Sequence, residues 1–346
     1  MRRTIVLLVL FLLLGGVAAW YLSMDRASEK STVAGADREF AVEDISRIHR
    51  IFLARRDGVT TDLRRGDDGY WTVNGEGRAN PRVMSSLLDA IKRVRMMYKP
   101  PEAAEESMVS ELATHGVKVE LYDASGDKIK GYYVGGAGPG EFGTFMILED
   151  AEQPYVVELP YWDGNVSVRY SYAGDEWRDK ALFRAEPEDI RSLSIAYPKQ
   201  KNQSFRLTAN GGDYEIEPYY DITPAINRTV QPGKVQAFLS NYDAVIAEAF
   251  RNNYKKQDSV RQQIPFSIIT LVDTQGDTTQ ATFYPVVEED KYYQDPESGE
   301  YVKKQIDFER YFVDLNGKDF LQIQQQAIQE IFWGYPSFFE EAGQLQ

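Results

Sequence analysis

Apolar and polar residues alternate with a period of two over residues 49–55 and 60–64, on either side of Asp57-Gly58. That alternation around an Asp-Gly pair predicts a β-hairpin. Residues 70–73 continue it as a third strand. The period then changes. Asn80 is placed to cap a helix with Pro81 at its first position, and Val83, Leu87 and Ile91, with Met84 and Leu88, recur on one helical face. A shorter helix over 105–114 is stopped by Gly116. Residues 117–123 and 129–134 form a second predicted hairpin about Ser125-Gly126, and 145–148 and 155–159 add two strands. Strand runs with short turns and a few helices predict an α+β fold, an antiparallel sheet with its helices packed to one side.

The same pattern then recurs. "VEDISRIHRIFL" from Val42 is answered by "PEDIRSLSIAYP" from Pro187, which aligns Ile45 with Ile190. Trp71 aligns with Tyr214. In the helix Val83 aligns with Val235, and Leu87 with Leu239. In the second hairpin Leu121, Asp123, Gly126 and Asp127 align with Leu271, Asp273, Gly276 and Asp277. Two copies are too few for an open solenoid. Two duplicated domains in tandem are expected, at 41–184 and 185–346.

Residues 1–40 are different in kind. Arg2 and Arg3 precede an uncharged, mostly apolar run from Ile5 to Leu22, with Trp20 and Tyr21 at its far end. About eighteen helical residues nearly span a bilayer's hydrocarbon core, and the aromatic pair suits its interface. The expectation is a transmembrane anchor over 1–24 and a flexible polar tether over 25–40. The positive flank keeps the N-terminus cytoplasmic and the bulk of the chain periplasmic. A cleaved signal peptide is the competing reading of the same run.

Composition narrows the chemistry. A net charge of −14 opposes nucleic acid binding. The absence of Cys excludes disulfides and thiol catalysis, and two His leave little room for a His-rich metal site. Gly138, Gly140 and Gly143 spell G-x-G-x-x-G. The dinucleotide turn needs a helix directly after these glycines, whereas strand-like residues follow, so a hairpin loop is expected and no nucleotide. The counterpart in the second copy is a long acidic insertion holding Glu288, Glu289 and Asp290. It could attract calcium, but its spacing does not match an EF-hand. No catalytic constellation, cofactor site or metal site is expected. Trp162, Trp177, Trp333 and Tyr335 close the two copies and, with the acidic insertion, form the candidate interaction surface. Core packing is the competing reading for these aromatics.

Five segments in order, "GYWTVN" (69–74), "NPRVMSSLLDAI" (80–91), "THGV" (114–117), "YVGGAGPGEFGTFMILEDAEQPYVVEL" (133–159) and "DEWRDKALF" (175–183), resemble a bacterial family catalogued as domain of unknown function forty-three forty. The resemblance implies a membrane-anchored extracytoplasmic protein without known catalytic residues. It also implies an association with gliding-motility-type ABC transporter components. The expected function is therefore a scaffold or accessory subunit that binds a protein partner. An envelope glycan-binding module and an extracytoplasmic hydrolase are the alternatives.

Overall fold

The computed structural model describes residues 39–138, 142–160, 162–286, 292–294, 298–303 and 309–340. The chain divides into two units between Asp179 and Lys180. The expected anchor, with Arg2, Arg3, Ile5, Trp20, Tyr21 and Leu22, lies outside the described residues. No described helix is long and apolar enough to cross a membrane. Of the expected tether over 25–40, residues 25–38 also lie outside the described residues, and Phe40 is buried and meets Tyr132 and Tyr155 edge to face.

Unit 1 contains β1 (Arg50–Ala54), β2 (Thr60–Arg65), β3 (Trp71–Val73), β4 (Gly77–Arg78), α1 (Pro81–Arg93), β5 (Arg95–Tyr98), α2 (Glu102–His115), β6 (Val117–Tyr122), β7 (Lys128–Ala137), β8 (Thr144–Leu148) and β9 (Tyr155–Glu158). The strands form one antiparallel sheet in the order β4-β3-β2-β1-β6-β7-β8-β9-β5. Register follows the alternation: Ile51 sits between Leu63 and Leu121, so all three point to one face. On that face α1 buries Met84, Leu87, Ala90 and Ile91. Asn80 starts α1 by accepting from the amides of Arg82 and Val83, a cap worth about 1 kcal/mol.

Unit 2 contains β10 (Ala181–Phe183), β11 (Ile190–Ala196), β12 (Phe205–Asn210), β13 (Asp213–Pro218), α3 (Pro232–Leu239), β14 (Val245–Ile246), β15 (Ala249–Phe250), α4 (Gln257–Arg261), β16 (Ser267–Asp273), β17 (Thr278–Pro285), β18 (Tyr292–Gln294), β19 (Tyr301–Lys303), β20 (Arg310–Leu315) and β21 (Asp319–Gln324). Its large sheet runs β13-β12-β11-β16-β17-β20-β21-β15. Position for position, that is the order of unit 1 from β3 to β5. The pairs β10–β14 and β18–β19 are additional.

The α+β expectation with helices to one side is overturned. The described residues are dominated by antiparallel sheets of nine and eight strands, with only four α-helices among them. Those helices also lie on both faces. Val134 belongs to the core under α1, and Gly135, next along β7, faces the other way. A Cβ at Gly135 would stand 2.9 Å from Leu112 Cδ2, so α2 packs on the second face. There Met108, Leu112 and Val156 are buried apart from the main core, and the Gly136 amide donates to the Glu111 carboxylate. Unit 2 repeats this arrangement. α3 buries Val235, Phe238 and Leu239 in the main core. On the opposite face Arg261 of α4 pairs with Asp314 at 3.1 Å and lies over Phe320.

Register also corrects the alignment of the two copies. Leu193 pairs with Leu207 and Leu271 as Ile51 pairs with Leu63 and Leu121. Ile190 therefore corresponds to buried Ile48 rather than Ile45, which moves to Pro187. In the helices, buried Met84, Leu87 and Ile91 correspond to buried Val235, Phe238 and Tyr242. Val235 thus matches Met84 rather than Val83. Alternating and helical patterns both tolerate a slip in one-dimensional alignment; burial does not.

Candidate functional site

Each unit carries a groove at the same place, between its N-terminal turn, its β2–β3 or β12–β13 hairpin and the helix on its core face. In unit 1 the hairpin is shaped by Asp68, which accepts from the Tyr70 amide, and by Gly69 at φ +81°. Positive φ favours glycine there. Trp71 forms part of the floor, with Met84 and Leu88 of α1. Tyr70, 49% exposed, stands at the mouth with the Arg78 guanidinium 3.4 Å from its ring centroid. The groove has a volume of about 420 Å³.

Its charges are unevenly paired. Asp89 is held by Arg93 and Arg169, each at 2.8 Å. Arg78 and Lys92 line the same groove, and neither forms a close ion pair among the described residues, although Lys92 lies near enough to Asp44 to help lower that carboxyl's pKa. The Arg78 Nε is buried without a hydrogen-bond acceptor. In unit 2 the corresponding groove, about 710 Å³, is lined by Pro187, Tyr214, Gln236 and Ser240, with Glu188 and Arg191. Gln236 stands where unit 1 has Ser85, and Ser240 where it has Asp89. No strand of the unit 2 sheet corresponds to β4, so Arg78 has no counterpart.

The glycine stretch 134–145 joins antiparallel β7 and β8, with Ala137 paired to Thr144 and the Gly138 amide donating to Gly143 O. Gly143 has φ +70°. A strand follows it, so the geometry of a dinucleotide turn does not arise. Gly140 lies outside the described residues. Phe142 in this loop is 60% exposed, and a Cβ on neighbouring Gly143 would lie 3.7 Å from Met97 Sδ. Met97 and Tyr98 belong to β5, the sheet's edge strand, and are exposed as well. An apolar patch thus sits at an open edge.

The aromatics chosen from sequence lie elsewhere. Trp177 is fully buried, and its Nε1 donates to Tyr172 O at 2.8 Å. Tyr335 is buried, and its hydroxyl accepts from the Ile226 amide. Neither presents a surface: a large ring with one polar atom is best buried once that atom is paired. Trp162 and Trp333 are half-buried, the first beneath Arg169, the second against Phe238 and Phe338. Glu288, Glu289 and Asp290 lie outside the described residues. His49 is half-buried beside Arg47 O, and His115 is exposed at the end of α2. Among the described residues no three His, Asp or Glu side chains gather at metal-binding distance.

The family model described as Domain of unknown function (DUF4340) matches residues 78–263, more than half of the chain. The chain belongs to the DUF4340 family. The match begins at Arg78, so the family region contains Arg78 and Lys92 of the unit 1 groove, β5 and most of the unit 2 groove, all but Thr274. Among curated proteins, none matches the chain.

Proposed function

We propose that this DUF4340 protein is an extracytoplasmic accessory subunit, held at the bacterial inner membrane through residues 5–22, that docks a protein partner. The observation that carries the reading is the β5 edge. Sheet edges offer unpaired backbone groups, and proteins normally blunt them. In unit 1 the β4 edge is covered where the Asp179 amide donates to Arg78 O. In unit 2 the β13 edge carries exposed Glu215 and Glu217 and ends at Pro218, and the β15 edge is two residues long. The β5 edge instead presents Met97 and Tyr98 beside Phe142. Such an edge suits an extended partner segment that adds a strand and buries apolar side chains. Arg95 and Lys99 flank the patch and are paired with Glu158 and Glu105 of this chain, so the apolar side chains rather than charge define the docking edge. The family resemblance points to an ABC transporter or gliding-type envelope complex as the source of the partner.

The test is photo-crosslinking in cells from position 97, with position 215 on the β13 edge as control. One partner is expected to crosslink from position 97 alone; the wild type should retain it through purification in mild detergent, and Met97→Lys should lose it. A native protein that runs alone, or equal crosslinking from both positions, overturns the reading.

A further inference from the structure

We infer that the unit 1 groove is a binding site for a small anionic amphiphile, a carboxylate carried on a short apolar stem. Three independent features agree. First, the apolar part of the wall is already built: Trp71, Met84 and Leu88 form one surface, and Ile45 adds to it. A volume of about 420 Å³ falls in the range of small-molecule sites. Second, the charges left over are both positive. Asp89 is satisfied twice by Arg93 and Arg169, which leaves Arg78 and Lys92 without a close ion pair; Lys92 feels only the exposed Asp44 at longer range. This occurs on a chain whose net charge is −14, so the groove is a local exception to the surrounding field. Third, the Arg78 Nε is buried with no acceptor. That nitrogen is closed to solvent, so an incoming carboxylate would bond the terminal nitrogens of the same guanidinium, which carry no hydrogen bond among the described residues, and charge-assisted bonds there would offset the cost of the unpaired Nε.

Tyr70 adds selectivity. It holds the guanidinium against its ring and still exposes half of its own surface. A stem entering between Tyr70 and Leu88 would meet aromatic and aliphatic walls while its head reaches Arg78. The unit 2 groove lacks this combination: Gln236 and Ser240 are polar, Glu188 opposes Arg191, and no residue stands for Arg78. One ligand is therefore expected per chain, in unit 1.

The test uses the full chain in a non-ionic detergent and calorimetric titration with hexanoate, hexanamide, acetate and N-acetyl-leucine. Hexanoate should bind at least about tenfold more tightly than hexanamide, which lacks the charge, and acetate, which lacks the stem. Arg78→Gln and Lys92→Gln should each weaken hexanoate by about tenfold, while Arg191→Gln in unit 2 leaves it unchanged. Arg78 is partly packed, so Lys92→Gln, at an exposed position, keeps the test decisive if the first variant misfolds. Equal binding of hexanoate and hexanamide, or no effect of Lys92→Gln, overturns the inference. N-acetyl-leucine, also a carboxylate on a short apolar stem, should bind, and Lys92→Gln should weaken it as it weakens hexanoate; failure to bind also overturns the inference.

Discussion

Units 1 and 2 share one strand order and place one helix on each face of the sheet, yet their grooves and edges differ almost residue by residue. What is held in common is what the core requires. Ile51 and Leu193, Leu63 and Leu207, and Leu121 and Leu271 are all apolar and almost wholly buried, because each would otherwise place apolar area in water at about 25 cal/mol per Å². What differs lies where no packing partner dictates the choice. Trp71 and Tyr214, or Asp89 and Ser240, keep the wall of a groove while changing what it would accept. Divergence at an equivalent cavity in two otherwise parallel units is the signature expected of two different tasks on one scaffold.

The largest expected effect separates packing from surface among the C-terminal aromatics. Trp177→Ala should destabilise unit 1 by about 3–5 kcal/mol, because it empties a fully buried indole and strands the carbonyl of Tyr172. Trp333→Ala, at a half-buried ring, should cost unit 2 distinctly less. Denaturant unfolding followed by hydrogen exchange, which resolves the two units, reads both. Equal losses would mean that Trp177 is not the core residue its burial makes it.

Much of the strand framework was legible in the sequence, and for a simple reason. Where one sheet face is buried, alternation must persist over the whole strand, as it does through Ile51, Leu53 and Leu63. α2 was legible as a helix over 105–114 and is found at Glu102–His115, but its place on the second face was not. α2 has little amphipathic contrast, since it buries only Met108 and Leu112, and its seat is made by the absence of side chains at Gly135 and Gly136. Those glycines lie just before the run that spells a nucleotide fingerprint, and their role is close approach of a helix to a strand. The site was legible only in part. Tyr70 sits beside Trp71 in a strand and must therefore face outward, but nothing local signals that Arg78, across a turn, returns to cover it. The exposed β5 edge was missed because "RMMY" follows the predicted helix directly, without a turn residue to mark a new strand.

A second prediction sharpens the comparison at a place where the units agree. Gly126 and Gly276 occupy φ +89° and +95° in turns that are built alike. Asp123 and Asp273 each accept from two amides of their own turn. This geometry accounts for the recurring Asp-x-x-Gly-Asp. Gly126→Ala and Gly276→Ala should each cost about 1 kcal/mol, each in its own unit, through left-handed strain alone. No neighbour lies within 4 Å of either added Cβ, so no clash adds to the strain. A markedly unequal pair of losses, by the same hydrogen-exchange measurement, would break the equivalence of the two turns.

The smallest effect concerns the sheet face on which the units part. On unit 1, Lys118 bridges Glu120 at 2.8 Å and Glu149 at 2.9 Å, and Lys128 also holds Glu149. The corresponding positions to Lys118 and Glu120 on β16 are Ile268 and Thr270, so unit 2 has a neutral surface there. Hydrogen bonds from Lys128 and then Lys118 hold the Glu149 carboxyl below its ordinary value of 4.5. A carboxyl depressed in the folded state contributes stability that is complete above its unfolded value and is lost as pH falls through the folded one. Unit 1 should therefore lose a component of stability as pH falls below about 4.5, and Glu149→Gln should remove the share that Glu149 carries, leaving that of the depressed Glu120. Solvent screens these ion pairs, so the component is about 0.5 kcal/mol or less. Thermal unfolding of the wild type and Glu149→Gln between neutral pH and pH 3 measures it. An unchanged acid profile in the variant would mean that the ion pairs order the face without stabilising it.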